Sequence, residues 1–349
     1  PFPPPPSFPS SPPNPTNPSP PPPPPPPLSE TWRQFGEDVD GEAADLTGTA
    51  VSLSRDGFRL AVGGVNVARV FQWTASNWSL MGLSLERTEW VGVESDELFG
   101  AAVSLSGDGA RVAVGSTSYD SALIDVGRVR VFHWDAPGDE WVLIGEFTGE
   151  AAEDGFGNSV SLSNSGARLA VGAMLNDAGG DRAGHARVFE LTEASSRSWT
   201  KMGSDLNGSS ANDRFGSAVS LSGDGTRIAV GAEVADTEVF DIAGYVSVYE
   251  WNATAVEWQQ MGTNLFGANS LDYFGYAVSI SNDGSIVAAA APLNDGAASD
   301  AGHVRVFEWN ANADPPAWRQ LGSDIQGDAE NDRFGTSVSL SGDGSRVAI

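Results

Sequence analysis

The side chains best placed to do chemistry in this chain are carboxylates. It has 46 Asp and Glu against 19 Lys and Arg, with three His and no Cys. The absence of cysteine removes thiolate nucleophiles, thiolate metal sites and disulfides together. His185 and His303 stand at equivalent points before a Val-Phe phrase, where other copies have Tyr245 or Arg128, and His133 lies within a strand pattern. No Ser/His/Asp spacing for nucleophilic catalysis emerges from these positions. A glycosidase-type pair of carboxylates would have to be assembled from distant loops, and no two stand out. The expectation is therefore that the protein is not an enzyme.

Two recurring carboxylates are candidates for cation binding. The first lies in an Asp-Gly turn, as at Asp108, Asp224 and Asp343. One carboxylate is too few for calcium, which takes six to eight oxygens. Asp-Gly ahead of a strand is instead the chemistry of a tight hairpin, so these positions are expected to bind no calcium. The second stands two residues before each Phe-Gly pair or its equivalent: Asp45, Glu97, Asp154, Asp213, Asp272 and Asp332. The simpler account is a side chain accepting backbone N–H bonds in a connection. The alternative is a cation site completed by Asp205 or Asp324, which makes Asp213, Asp272 and Asp332 the metal candidates and calcium the cofactor in view. The acidic loops Asn176–His185 and Asn294–His303 are further places for weak calcium binding. Asn-x-Ser/Thr triplets at Asn77, Asn207 and Asn252 are candidate glycosylation sites.

These residues are carried by two unlike segments. Of 22 prolines, 18 fall within the first 27 residues, and no charge precedes Glu30. Such a tract favours polyproline II at about 3.1 Å per residue, an arm of roughly 80 Å. Residues 1–28 are read as this arm and 29–349 as one repeat domain. The net charge of −27 excludes a basic nucleic-acid surface. No apolar run approaches the roughly 18 residues of a membrane span. The sequence opens at Pro1 without a methionine, as expected after removal of a signal peptide or in a fragment.

The repeat is built from four phrases in fixed order. "DRFGSAVSLSGDGTRIAVGA", from Asp213, returns almost unchanged as "DRFGTSVSLSGDGSRVAI" from Asp332, with four looser copies. Trp-x-x-apolar-Gly begins at Trp32, Trp78, Trp141, Trp199, Trp258 and Trp318, and a Val-Phe-Glu-Trp-like phrase closes at Trp73, Trp134, Leu191, Trp251 and Trp309. Each phrase alternates with period two, bulky on one face and small on the other, as stacked strands require. Aromatic and Phe-Gly positions are read as packing between units. Four antiparallel strands per unit predict an all-β β-propeller of six to seven blades. The phrases supply 23 strands where six closed blades need 24, so the last blade is expected to be incomplete, and Trp32–Gly36 to pair as an outer strand.

These phrases resemble the FG-GAP repeat, the blade unit of integrin α-chain propellers, over about residues 32–349. The proline tract resembles the hydroxyproline-rich arms of wall glycoproteins. The resemblance implies a secreted, extracellular or cell-surface protein engaged in adhesion or binding. The family's longer Asp-x-Asp-x-Asp-Gly calcium loop is replaced here by Ser-Gly-Asp-Gly, so its calcium residues do not carry over. The leading expectation is a structural or adhesive glycoprotein, self-associating into a linear assembly through its arm or joining other matrix glycoproteins and glycans. The alternatives are a soluble calcium-dependent binding propeller and a carbohydrate-active enzyme.

Overall fold

A computed structural model describes residues 34–42, 45–86, 98–121, 123–193 and 197–349. The proline arm, Trp32 and Glu97 lie outside the described residues, and Gln34–Gly36, the described part of the Trp32 phrase, are not in a strand. The chain divides into two units, Pro1–Phe35 and Gly36–Ile349, and the second contains all the described strands.

The alternating phrases form strands, and each repeat forms one sheet. The first sheet comprises β1 (Ala50–Leu53), β2 (Arg59–Gly64), β3 (Val67–Thr74) and β4 (Asn77–Leu80), with a short β5 (Leu85–Glu86) returning to β3. The second is β6 (Phe99–Leu105), β7 (Arg111–Ser116), β8 (Arg128–Asp135) and β9 (Glu140–Thr148). The third is β10 (Ser159–Leu162), β11 (Arg168–Ala173), β12 (His185–Glu193), β13 (Ser198–Lys201) and the short β14 (Leu206–Asn207). The fourth is β15 (Phe215–Leu221), β16 (Arg227–Ala232), β17 (Tyr245–Asn252), β18 (Glu257–Gln260) and the short β19 (Leu265–Phe266). The fifth is β20 (Ala277–Ile280), β21 (Ile286–Ala291), β22 (His303–Asn310), β23 (Ala317–Gln320) and the short β24 (Ile325–Gln326). A pair, β25 (Ser339–Leu340) and β26 (Val347–Ala348), follows. All pairings between these strands are antiparallel, the first four of each blade following chain order as in propeller blades, and no helix occurs among the described residues.

The short strands are an addition to the four-strand reading. After its Trp phrase the chain turns at Gly82, Gly203, Gly262 or Gly322 and pairs briefly with the third strand. In the second blade β9 runs straight through Gly145, with a shift in register against β8, and does the work of both strands.

The predicted two-faced strands decide how blades meet. Val219, Leu221, Ile228 and Val230 of the fourth blade pack with Ala170, Ala186 and Val188 of the third. The opposite face, through Ala229, Val246 and Val248, receives Phe274, Val278 and Ile280 of the fifth. Phe99, Phe156, Phe215 and Phe274 are fully buried in these seams. The glycine of the Ala-Val-Gly strand permits backbone contact with the Phe-Gly of the next blade: a Cβ on Gly231 would overlap the carbonyl of Gly275.

Polar groups repeat across the same seams. The first serine of each Val-Ser-Leu-Ser strand accepts a backbone N–H from the next blade, as Ser161 from Leu221 at 3.0 Å and Ser104 from Leu162 at 2.9 Å. The Trp-phrase indoles reach the other way. Trp258 Nε1 donates to the Met202 carbonyl at 3.0 Å, Trp199 to Ile144 at 2.9 Å and Trp318 to Met261 at 2.8 Å. A buried seam with paired polar groups fixes one register between blades, because slippage would leave them unsatisfied.

Candidate functional site

The Asp-Gly positions are closed turns. Asp224 Oδ1 accepts hydrogen bonds from Ser222 Oγ at 2.8 Å, Thr226 N at 2.9 Å and Thr226 Oγ1 at 2.8 Å. Gly225 follows at φ +69°, the left-handed region that a glycine enters without a steric cost. Asp343 is held likewise by Ser341 and Ser345, which lower its pKa to about 2. Burial works to raise the pKa of Asp108, but hydrogen bonds from Ser106 and Ala110 outweigh it. Each carboxylate oxygen facing the turn is thus already engaged.

The acids before Phe-Gly are engaged too. Asp154 Oδ2 accepts the N–H groups of Glu150 and Ala151 at 2.8 and 2.9 Å, and its Oδ1 takes Asn176 Nδ2 at 2.9 Å. Asp272 repeats this with Ala268, Asn269 and Asn294. Asp213 accepts from Ser209 N, Ser210 N and Tyr245 Oη at 2.9, 3.0 and 3.1 Å. Asp332, exposed, accepts from Asp328 N and Ala329 N. Asp45 binds Thr47 and the Arg69 guanidinium, which together hold its carboxyl well below the usual range. Asp205 and Asp324 do not join these acids in a common site. Asp205 pairs with Arg187 and Lys201, both at 2.7 Å, and Asp324 with Arg305 at 3.3 Å. Among the described residues no three Asp, Glu or His side chains gather as a metal site would require.

The two histidines are more unusual than their spacing indicates. His185 and His303 open β12 and β22, both almost fully buried, and among the described residues neither ring nitrogen of either has a hydrogen-bond partner, His303 Nδ1 standing 3.7 Å from Asp324 Oδ2. Burial, with the Arg187 charge second, pushes His185 down to about 4; burial and Arg305 lower His303 in the same way.

The chain leaves its repeat pattern most clearly in the fourth blade. Between β16 and β17 it reads "ADTEVFDIAG", against "NDAGGDRAG" and "NDGAASDAG" in the third and fifth blades. The segment is one residue longer than these and has Val239, Phe240 and Ile242 where they have only small or charged residues; the second blade's equivalent segment carries Leu123 and Ile124. It forms one wall of a cavity of about 590 Å³, within the usual range for small-molecule pockets. Tyr245 and Phe266, facing across the β17–β19 pair with ring centroids 6.1 Å apart, contribute the aromatic surface. Val239 is 76 % exposed and Phe266 47 %. Around them lie Asn264, Ser209, Asp236 and Glu238. Tyr245 remains protonated: burial raises its pKa, and Asp213 beside it adds to the effect. The sequence signal for this groove was the presence of bulky apolar residues in a loop that is small and polar in the third and fifth blades.

The glycosylation candidates differ in their surroundings. Asn77 is tied to Glu37 and to Trp78 N, and Asn252 caps its hairpin through Thr254 N and Ala255 N. Asn207, on β14, is exposed.

Comparison with known proteins agrees with this architecture. Residues 148–189, from the end of β9 into β12, match the family model of the FG-GAP repeat. No curated protein matches the chain by sequence. A "putative 6-phosphogluconolactonase" from Bacteroides fragilis is similar with a TM-score of 0.51 and 13 % identity, over 78 % of this chain and 69 % of that one. The hydrazine synthase of Kuenenia stuttgartiensis is similar with a TM-score of 0.51 and 12 % identity, over 90 % and 95 %. At such identities the likeness is one of fold alone. It does overturn one expectation. Both structures are named as enzymes, so this fold is compatible with catalysis, and the reading that the chain is not an enzyme is withdrawn. That reading rested on missing thiols and sparse histidines, whereas propeller loops bring together residues whose spacing along the chain gives no sign of it. Residues 148–189 carry an FG-GAP repeat, and the sheets that contain and surround it are blades of the β-propeller type.

Proposed function

We propose that this chain is a secreted structural and adhesive protein, which makes its contacts through the fourth-blade groove and is set into an extracellular or cell-surface assembly by its proline-rich arm. The observation that carries the reading is the cavity walled by Thr237–Phe240, with Val239 and Phe266 exposed at its edge. The equivalent loop of the second blade also exposes apolar side chains, Leu123 and Ile124, and apolar surface left open beside a cavity suits contact with another molecule. FG-GAP repeats are typical of extracellular proteins, which supports the location. The charge of −27 supports a surface that resists unspecific association and leaves contact to local features.

The test uses the intact chain, a variant lacking residues 1–28, and Val239→Asp. Sedimentation measures self-association, and retention of protein-coated beads on an extracellular glycoprotein matrix measures adhesion. Loss of assembly in the truncated chain and loss of retention in Val239→Asp are the expected results. Unchanged behaviour of both variants overturns the reading.

A further inference from the structure

We infer that the fourth-blade groove binds a neutral polyhydroxylated ligand, a saccharide ring presented by a glycan. The inference rests on the adhesive reading above and supplies the chemistry of its contact. The decisive residue is Asn264. Its Oδ1 accepts hydrogen bonds from Ser247 Oγ at 2.8 Å and Gln260 Nε2 at 2.6 Å. Both of these groups donate, so the amide is held with its Nδ2 as the remaining donor, and Nδ2 has no partner among the described residues. Asp236 is its counterpart. Its Oδ1 accepts Ile242 N at 2.8 Å, which leaves Oδ2 as an acceptor, and among the described residues neither Asp236 nor Glu238 forms an ion pair.

The groove therefore presents a fixed donor and fixed acceptors beside an exposed phenyl ring. A cation has no use for the Asn264 donor, and an anion meets two carboxylates. A hydroxyl both donates and accepts, and a sugar ring places several of them around an apolar C–H face that suits Phe266. The sequence of the loop adds to this. The third and fifth blades, which keep Gly and Ala there, have no comparable apolar wall.

Asn264→Asp separates the possibilities. Ser247 and Gln260 donate to a carboxylate as well as to an amide, so the substitution preserves the fold and exchanges the donor for a charged acceptor. Phe266→Ala removes the ring from a half-exposed position. Titration calorimetry of the intact protein would use neutral arabino-, galacto-, gluco- and manno-oligosaccharides, with tri-lysine as the cationic control. The expected result is binding of at least one neutral saccharide, weakened roughly tenfold or more by either substitution. The inference fails if no neutral saccharide binds, if Asn264→Asp binds as well as the parent, or if tri-lysine alone binds and Asn264→Asp tightens it. Loss of bead retention in Val239→Asp without saccharide binding would overturn this inference and leave the adhesive reading intact. Saccharide binding with retention unaffected by Val239→Asp would do the reverse.

Discussion

Mild acid should destabilise this protein through its two buried histidines. His185 has an ordinary pKa of 6.5 in the unfolded chain and about 4 in the folded one. Between these values the unfolded state binds the proton and the folded state refuses it, so stability falls as pH drops. Above 6.5 both states are neutral and nothing is lost. The difference corresponds to about 3 kcal/mol when complete, of which about 2 kcal/mol is already lost near pH 5. His303 is shifted in the same direction by the same causes and adds to the loss. The groups facing His185 are Arg187, which opposes protonation, and Asp205, Asp154 and Glu150, which favour it. The carboxylates act in a lower window. Asp205 and Asp343 have pKa values of about 2, below the ordinary 3.8, so their contributions persist until the pH falls below about 4.

The assay is urea denaturation of the parent and His185→Gln at about pH 7.5 and about pH 5. Glutamine is neutral throughout, so any packing cost it brings is the same at both values. The parent should lose more stability between the two pH values than the variant does, by about 2 kcal/mol. Equal losses in the two proteins would show that His185 is not held neutral by burial, and would refute the reasoning.

Three further outcomes are expected. Asp224→Asn should keep the fold, since an amide oxygen still accepts from Ser222 and Thr226, and thermal melting with calcium or a chelator should be the same for parent and variant; a calcium-dependent melting shift lost on substitution would count against the turn reading. Trp258→Phe removes the indole N–H that reaches Met202 across the seam of the third and fourth blades, and should cost about 1–3 kcal/mol in denaturation; a variant as stable as the parent would remove the latch role. On secretion from a eukaryotic host, peptide mass mapping should find glycan at Asn207 ahead of Asn77 and Asn252, whose side chains are tied into hairpin contacts; the opposite order would show that exposure in the folded protein does not govern occupancy.

The blades were legible because the repeat repeats its packing. Each Val-Ser-Leu-Ser phrase alternates with the same sidedness, so pattern alone distinguishes the bulky face from the alanine face, and Phe-Gly marks the seam. The turn role of Asp-Gly was legible for the same reason, being local. The short strands β5, β14, β19 and β24 were not, since two residues carry no period. Nor was the way Asp154 and Asp272 satisfy their second oxygen, because Asn176 and Asn294 lie 22 residues away in each case. The groove lay between these extremes. Its unusual loop can be read from "TEVF", but Phe266 and Asn264 come from the far side of the blade and only folding brings them alongside.

The groove and the blade framework share one residue, and this explains why the fourth blade differs. In the third and fifth blades the structural acid is completed by an asparagine, and a histidine opens the third strand. In the fourth blade the asparagine position is Ala235, identified by the same carbonyl bond to the glycine before the third strand: Gly244 to Ala235, as Gly184 to Asn176 and Gly302 to Asn294. Tyr245, at the histidine position, donates instead to Asp213 Oδ2, the oxygen that Ser209 and Ser210 also hold, and not to the Oδ1 that the asparagine takes in the other two blades. A histidine there would be too short a replacement for the phenol and would add a buried base; tyrosine satisfies the acid at its far end and leaves its ring against Phe266. The exchange of Asn and His for Ala and Tyr thus keeps the blade's connection closed while turning an inert core position into an aromatic wall. A site can be built on a repeat at small cost to stability when the residue that lines it also donates a hydrogen bond to the acid that the repeat requires.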